Sequence, residues 1–150
     1  MQSNGIAKDP VIQRQHFLNV PFDIIKFDDA VELIAATRNA DGFRYVVTPN
    51  VDHVVRLSTH AELKPLYEAA WLTLCDSKPL VLLARAMPLK LPRVTGADLT
   101  ACLFGTVVKD GDHIALVAPN EAVVAKMRAK FPRLSIAAHV PPFGVGNNPA

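Results

Sequence analysis

Short apolar runs alternate with amphipathic stretches along most of this chain, and that alternation limits the fold more than any other feature. The runs are "FLNV" (17–20), "FRYVVT" (43–48), "WLTLC" (71–75), "HIALVA" (113–118) and "LSIAA" (134–138). β-Branched and aromatic content makes "FRYVVT" a buried strand. The run "PFDIIKF" (21–27) extends the first one as a hairpin-like pair.

Between them lie segments with helical spacing. Asp28 or Asp29 caps "AVELIAATRNA", where Ala30, Leu33, Ile34 and Thr37 share one face. A second helix starts at Asn50 and carries Val51, Val54, Val55 and Leu57, and "AELKPLYEAA" adds a further turn or two. "SKPLVLLARAM" places Pro79 in a first helical turn, where the missing N–H costs nothing. "TGADLTACLFGTVV" begins with Thr95 and Asp98 in capping-box spacing, and "NEAVVAKMRAKF" is amphipathic. Strand–helix alternation of this kind predicts an α/β fold, a three-layer Rossmann-like sandwich around a mostly parallel sheet. One domain over residues 1–150 is expected, with 1–16 a loose leader and 141–150 a frayed tail.

Composition narrows the function classes. Net charge is only +2 and the sequence pI about 8.6, which excludes the basic footprint of a dedicated nucleic-acid binder. Cys75 and Cys102 stand apart in apolar contexts, as buried free thiols of a reducing compartment do. The polar start "MQSNGIAKDPVIQRQ" has no signal-like core. The longest apolar run, from Pro79 to Ala84, ends at Arg85, far short of a membrane span.

Ligands of open parallel sheets bind beyond the carboxyl ends of the strands. Here those ends read Thr48-Pro49-Asn50, Cys75-Asp76-Ser77-Lys78 and Ala118-Pro119-Asn120. Each has two readings. Thr48 and Asn50 cap a helix or rim a site. Asp76 follows an apolar run with no periodic reason to be acidic, and is an N-cap or a functional carboxylate. Lys78, Arg85, Lys90 and Arg93 form a solvated face, or a cationic patch for phosphate or anionic headgroups. Asp110-Gly111-Asp112 has a cation-binding shape but reads as a turn, and the five histidines lack metal-ligand spacing. No phosphate-binding glycine loop and no nucleophile elbow is present.

Taken in order, "YVVTPNVDHVVRL", "AAWLTLCDSKPLVLLARAM" and "LPRVTGADL" resemble the WecG/TagA/CpsF glycosyltransferases from about Phe17 to Gly144. The shared signature is a strand ending Thr-Pro-Asn, an Asp at the next strand end, and an Arg-Val-Thr-Gly-Ala-Asp segment. The resemblance implies inverting transfer from a UDP-sugar, a hexose or N-acetylhexosamine, to a polyprenyl-diphosphate-linked acceptor at the inner face of the plasma membrane. It implies Asp76 as base with Thr48 beside it, and Asn50, Ser77, Lys78, Arg93, Thr95, Gly96 and Asp98 as substrate-binding. No metal or other cofactor is expected, and relatives are often homo-oligomers. Relatives differ in carrying glycine where this chain has Ser77-Lys78 and a glycine-rich turn where it has Ala118-Pro119-Asn120, and in continuing past the point where this chain stops. The alternative expectation is therefore a UDP-sugar-binding or assembly module that lacks the C-terminal part and transfers nothing.

Overall fold

A computed structural model describes residues 12–38 and 42–142, and the fold is α/β, with six helices and two parallel strand pairs among them. The chain gathers into two compact units, Met1–Leu103 and Phe104–Ala150.

The first unit opens with an antiparallel hairpin, β1 (Arg14–Phe17) and β2 (Val20–Asp23). The turn is Leu18-Asn19, both with positive φ, as a two-residue turn matching strand twist requires. The first apolar run is thus split by a turn, and pairing begins at Arg14, inside the stretch expected as leader. Residues 1–11 and 143–150 of the expected leader and tail lie outside the described residues.

Helix α1 (Phe27–Ala36) buries Ala30 and Leu33 as expected. Its N-cap, however, is Lys26, with no side-chain cap, so Asp28 and Asp29 sit inside the first turn. There the helix dipole favours carboxylates without a capping bond. Helix α2 (Val51–Thr59) starts at Asn50 and buries Leu57, but Val51 and Val55 of its expected apolar face are exposed. A 3₁₀ turn (Ala61–Leu63) and α3 (Lys64–Glu68) lead to the next strand.

Strands β3 (Val46–Val47) and β4 (Leu72–Thr73) pair in parallel. They are short because Pro49 has no N–H to extend the ladder. Residues 72 to 75 are nevertheless buried on both faces, as parallel strands are. Leu72 and Leu74 pack with Ile25, Ala30, Leu33, Val94 and Leu99, whereas Cys75 packs with Phe17, Phe22, Leu57 and Leu80. Asp76 has the parity of Leu72 and Leu74, and so belongs to the side on which α5 (Gly96–Thr106) packs through Leu99. On the opposite side lies α4 (Lys78–Arg85), with Leu80, Val81 and Ala84 buried.

The second unit is a βαβ element, β5 (His113–Val117), α6 (Glu121–Lys130) and β6 (Ser135–His139), its strands paired in parallel from His113 with Ser135 to Val117 with His139. Asp110-Gly111-Asp112 forms the turn before β5. Gly111 takes φ +88°, and the Asp112 carboxylate accepts the Lys109 N–H at 2.8 Å. Asp110 pairs with Arg133 at 2.8 Å. Asn120 caps α6 by accepting the Val123 N–H at 3.1 Å.

Candidate active site

Three chain segments are stitched together where β3 and β4 end. Leu74 N–H donates to Val47 at 2.8 Å, Asp76 N–H to Pro49 at 3.0 Å, and Val94 N–H to Cys75 at 2.9 Å. Arg93 bridges Cys75 in parallel, a third strand one bridge long that leads into Gly96. The ladder brings Thr48, Asp76 and Gly96 to one place.

At that place Asp76 Oδ2 accepts the Gly96 N–H at 3.0 Å. Gly96 is the first residue of α5, whose opening N–H groups have no helical partner and favour a carboxylate. Asp76 Oδ1 makes no hydrogen bond among the described residues. Thr48 closes the other side: a Cβ built on Gly96 would lie 2.8 Å from Thr48 Oγ1. Glycine therefore allows this close approach without displacing Thr48, leaving the hydroxyl and carboxylate on the same small backbone platform.

The remaining sequence-predicted residues divide by what their side chains already do. Asn50 Oδ1 accepts from Asp52 N at 3.0 Å and His53 N at 3.3 Å, and the Asn50 N–H in turn donates to His53 Nδ1 at 3.3 Å, completing a capping box. Ser77 Oγ accepts the Leu80 N–H at 3.3 Å and caps α4. Thr95 Oγ1 accepts the Asp98 N–H at 3.0 Å and donates to the Asp98 carboxylate, which turns Asp98 back onto the start of α5. Lys78 and Arg93 are exposed, Lys78 at the first position of α4 and Arg93 beside Cys75. Thus α2, α4 and α5 all begin within two residues of the stitched strand ends. Oriented N–H groups and two cations at such a junction are suited to an anion. Cys75 lies beneath, and burial pushes its thiol above the ordinary value of 9.0.

One constellation escaped the sequence reading. Buried Asp23 receives a two-pronged contact from Arg14, Nε to Oδ1 and Nη2 to Oδ2, each 2.8 Å. Asp23 Oδ2 also accepts the Thr73 N–H at 2.7 Å, while Arg14 Nη2 reaches the carbonyls of Ala70 at 2.9 Å and Trp71 at 3.2 Å. These bonds clamp the hairpin to β4. The visible signal was an acid inside the apolar run "VPFDII", where no surface face explains it.

A parallel-strand junction bearing a carboxylate, a hydroxyl and several helix starts has room and polarity for an anionic group, as strand ends of α/β folds do. The chain matches the family model described as glycosyl transferase WecG/TagA/CpsF family over residues 15–150, and it belongs to that family. A search of curated proteins finds no match. Family membership implies a sugar donor and an acceptor. Among the described residues no helix is long and apolar enough to cross a membrane.

Proposed function

We propose that this glycosyltransferase moves a hexose or N-acetylhexosamine from a UDP-sugar to a lipid-linked acceptor, with inversion and without a metal. Asp76 Oδ1 takes the proton from the acceptor hydroxyl as that oxygen attacks the anomeric carbon. The bond from that carbon to the diphosphate oxygen breaks on the opposite face, and UDP leaves with the electron pair. General-base assistance of this kind contributes about 10²- to 10⁴-fold. Gly96 N–H holds Oδ2 so that Oδ1 faces the substrate, and Thr48 Oγ1 positions the sugar. The diphosphate lies against the starts of α4 and α5, where Lys78 and Arg93 offset the charge that develops on leaving. Asn50 and Ser77 act through their remaining polar groups, since their capping oxygens are engaged. Thr95 and Asp98 shape the wall by fixing the α5 start.

The observation that supports this reading is the Asp76–Gly96 bond beside Thr48. The test is calorimetric titration of UDP and UDP-sugars in EDTA, followed by a transfer assay, on the native chain and on Asp76→Asn and Thr48→Ala. Saturable binding, with transfer lost in Asp76→Asn, is expected. Absence of heat with every uridine nucleotide overturns the donor assignment. UDP-sugar binding without any transfer favours a binding module instead.

A further inference from the structure

A cavity of about 300 Å³ opens in the second unit, at the end where β5 and β6 begin. The last turn of α5, the turn before β5 and the loop between α6 and β6 line it, and none of its residues belongs to the candidate active site. Phe104 and Phe131 form its apolar body, their ring centres 4.8 Å apart, with Val108 and Leu134 beside them. All four are half-buried. Backbone bonds pin the walls. Leu134 N–H donates to Phe131 at 3.2 Å, Gly111 N–H to Arg133 at 3.0 Å and Ser135 N–H to Asp112 at 2.9 Å. The hollow is therefore preformed, as small-molecule sites mostly are.

Charge lies on the rim, where Lys109, Lys130 and Arg133 face Asp110. Arg133 holds Asp110 at 2.8 Å. Asp112, next along the turn, accepts the Lys109 N–H at 2.8 Å through one carboxylate oxygen. On α6, Arg128 and Lys130 offset the negative end of the helix dipole, and the helix's one acid, Glu121, stands in its first turn. Neither Lys109 nor Lys130 has an ion pair among the described residues. Lys130 Nζ instead lies 5.4 Å from the centre of the Phe131 ring. An apolar hollow thus carries two cations without acidic partners at its mouth.

We infer that this cavity binds a small aryl anion, one ring bearing a phosphate or a carboxylate. The ring packs against Phe131, Val108 and Leu134, and the charged head meets Lys109 and Lys130. Lysines suit that head because each is a point charge on a flexible stem, whereas the Arg133 guanidinium is already engaged. The volume equals that of about ten waters at roughly 30 Å³ each, which admits about a dozen non-hydrogen atoms. A nucleoside diphosphate is far larger. The cavity is therefore separate from donor binding, and the inference does not rest on the donor reading proposed above.

The test is titration of phenyl phosphate and of benzoate into the full chain, followed by amide NMR shifts, with inorganic phosphate and benzyl alcohol as controls. Saturable shifts of the Lys109, Gly111 and Leu134 amides are expected with at least one aryl anion and with neither control. Lys109→Gln with Lys130→Gln should weaken binding about tenfold, as two exposed charge contacts allow, and added salt should act in the same direction. Both side chains are exposed, so thermal melting of that variant should stay close to native. Absence of shifts with both aryl anions overturns the inference, as does binding that ignores the two lysine substitutions. So does inorganic phosphate that binds as tightly as phenyl phosphate, because the apolar body then contributes nothing. Shifts confined to Asp76 and Gly96 and reversed by UDP also overturn it. UDP titrated alone reports on the donor site whatever the cavity does, so the two readings fail separately.

Discussion

Replacing Gly96 by alanine probes the junction directly. The added methyl would stand 2.8 Å from Thr48 Oγ1, with Thr48 Cβ at 3.5 Å and Cγ2 at 3.6 Å. Only the hydroxyl contact is too close. Gly96 does not have a positive φ, so alanine suffers no backbone penalty, and its better helix propensity returns up to about 1 kcal/mol. Overpacking costs about 1–3 kcal/mol, because Thr48 is stiff at χ1 and must rotate or be pushed aside. The net expectation for Gly96→Ala is a loss of about 0–2 kcal/mol, or a fall in melting temperature of about 2–4 °C per kcal/mol for a chain of this size.

The decisive comparison is with Thr48→Ala as background. That change removes Oγ1 and Cγ2 and leaves only the ordinary contact with Cβ, so Gly96→Ala should there become neutral or stabilising. A double-mutant cycle by urea denaturation should therefore return a coupling of about 1–3 kcal/mol. A coupling below about 0.5 kcal/mol would mean that Thr48 and Gly96 do not confine each other, and the platform argument would fail.

Asp76→Asn should lower the transfer rate constant about 100- to 10,000-fold while UDP still binds, checked by kinetics beside calorimetry. Arg14→Met leaves Asp23 buried beside a single N–H and should cost about 3 kcal/mol in urea denaturation, somewhat less if water enters beside the partly exposed guanidinium. Asn50→Ala removes the α2 cap and should cost about 1 kcal/mol by the same measurement. Cys75 has its thiol raised by burial, so the folded state holds that proton more tightly than the unfolded chain. The stability from this site is complete below the ordinary value of 9.0 and is lost as pH rises through the higher folded value. Alkaline titration of the melting temperature, with slow Cys75 alkylation in the native protein, checks both points.

Legibility in the sequence followed the range of the forces involved. Asn50 and the Thr95–Asp98 start could be read because caps are local, set by a side chain and an N–H two or three residues away. The Asp110-Gly111-Asp112 turn was legible for the same reason. The α1 cap failed because carboxylates in a first turn and at an N-cap leave similar patterns, and only geometry separates them. Val51 and Val55 obeyed helical spacing yet face water, since periodicity identifies a face and not what covers it. The bond from Gly96 N to Asp76 spans 20 residues and depends on a strand one bridge long, which no window-based pattern detects.

The clamp and the candidate site belong to one ladder, and that connects stability to chemistry. Arg14 fixes Asp23, Asp23 accepts from Thr73, Leu74 then donates to Val47, Asp76 donates to Pro49, and Gly96 donates to the Asp76 carboxylate. Strands β3 and β4 are only two residues each, so their own pairing specifies register weakly. A slip of one residue would send Leu72 and Leu74 to the opposite face and carry Asp76 away from α5. The bond from Asp23 to the Thr73 N–H opposes that slip from outside the pair, three residues before Asp76. A charged group buried at this depth adds little net stability over an apolar replacement, but its bond to the Thr73 N–H is made only in this register. Arg14 and Asp23 therefore anchor the strand that ends at Asp76, although neither touches the junction itself.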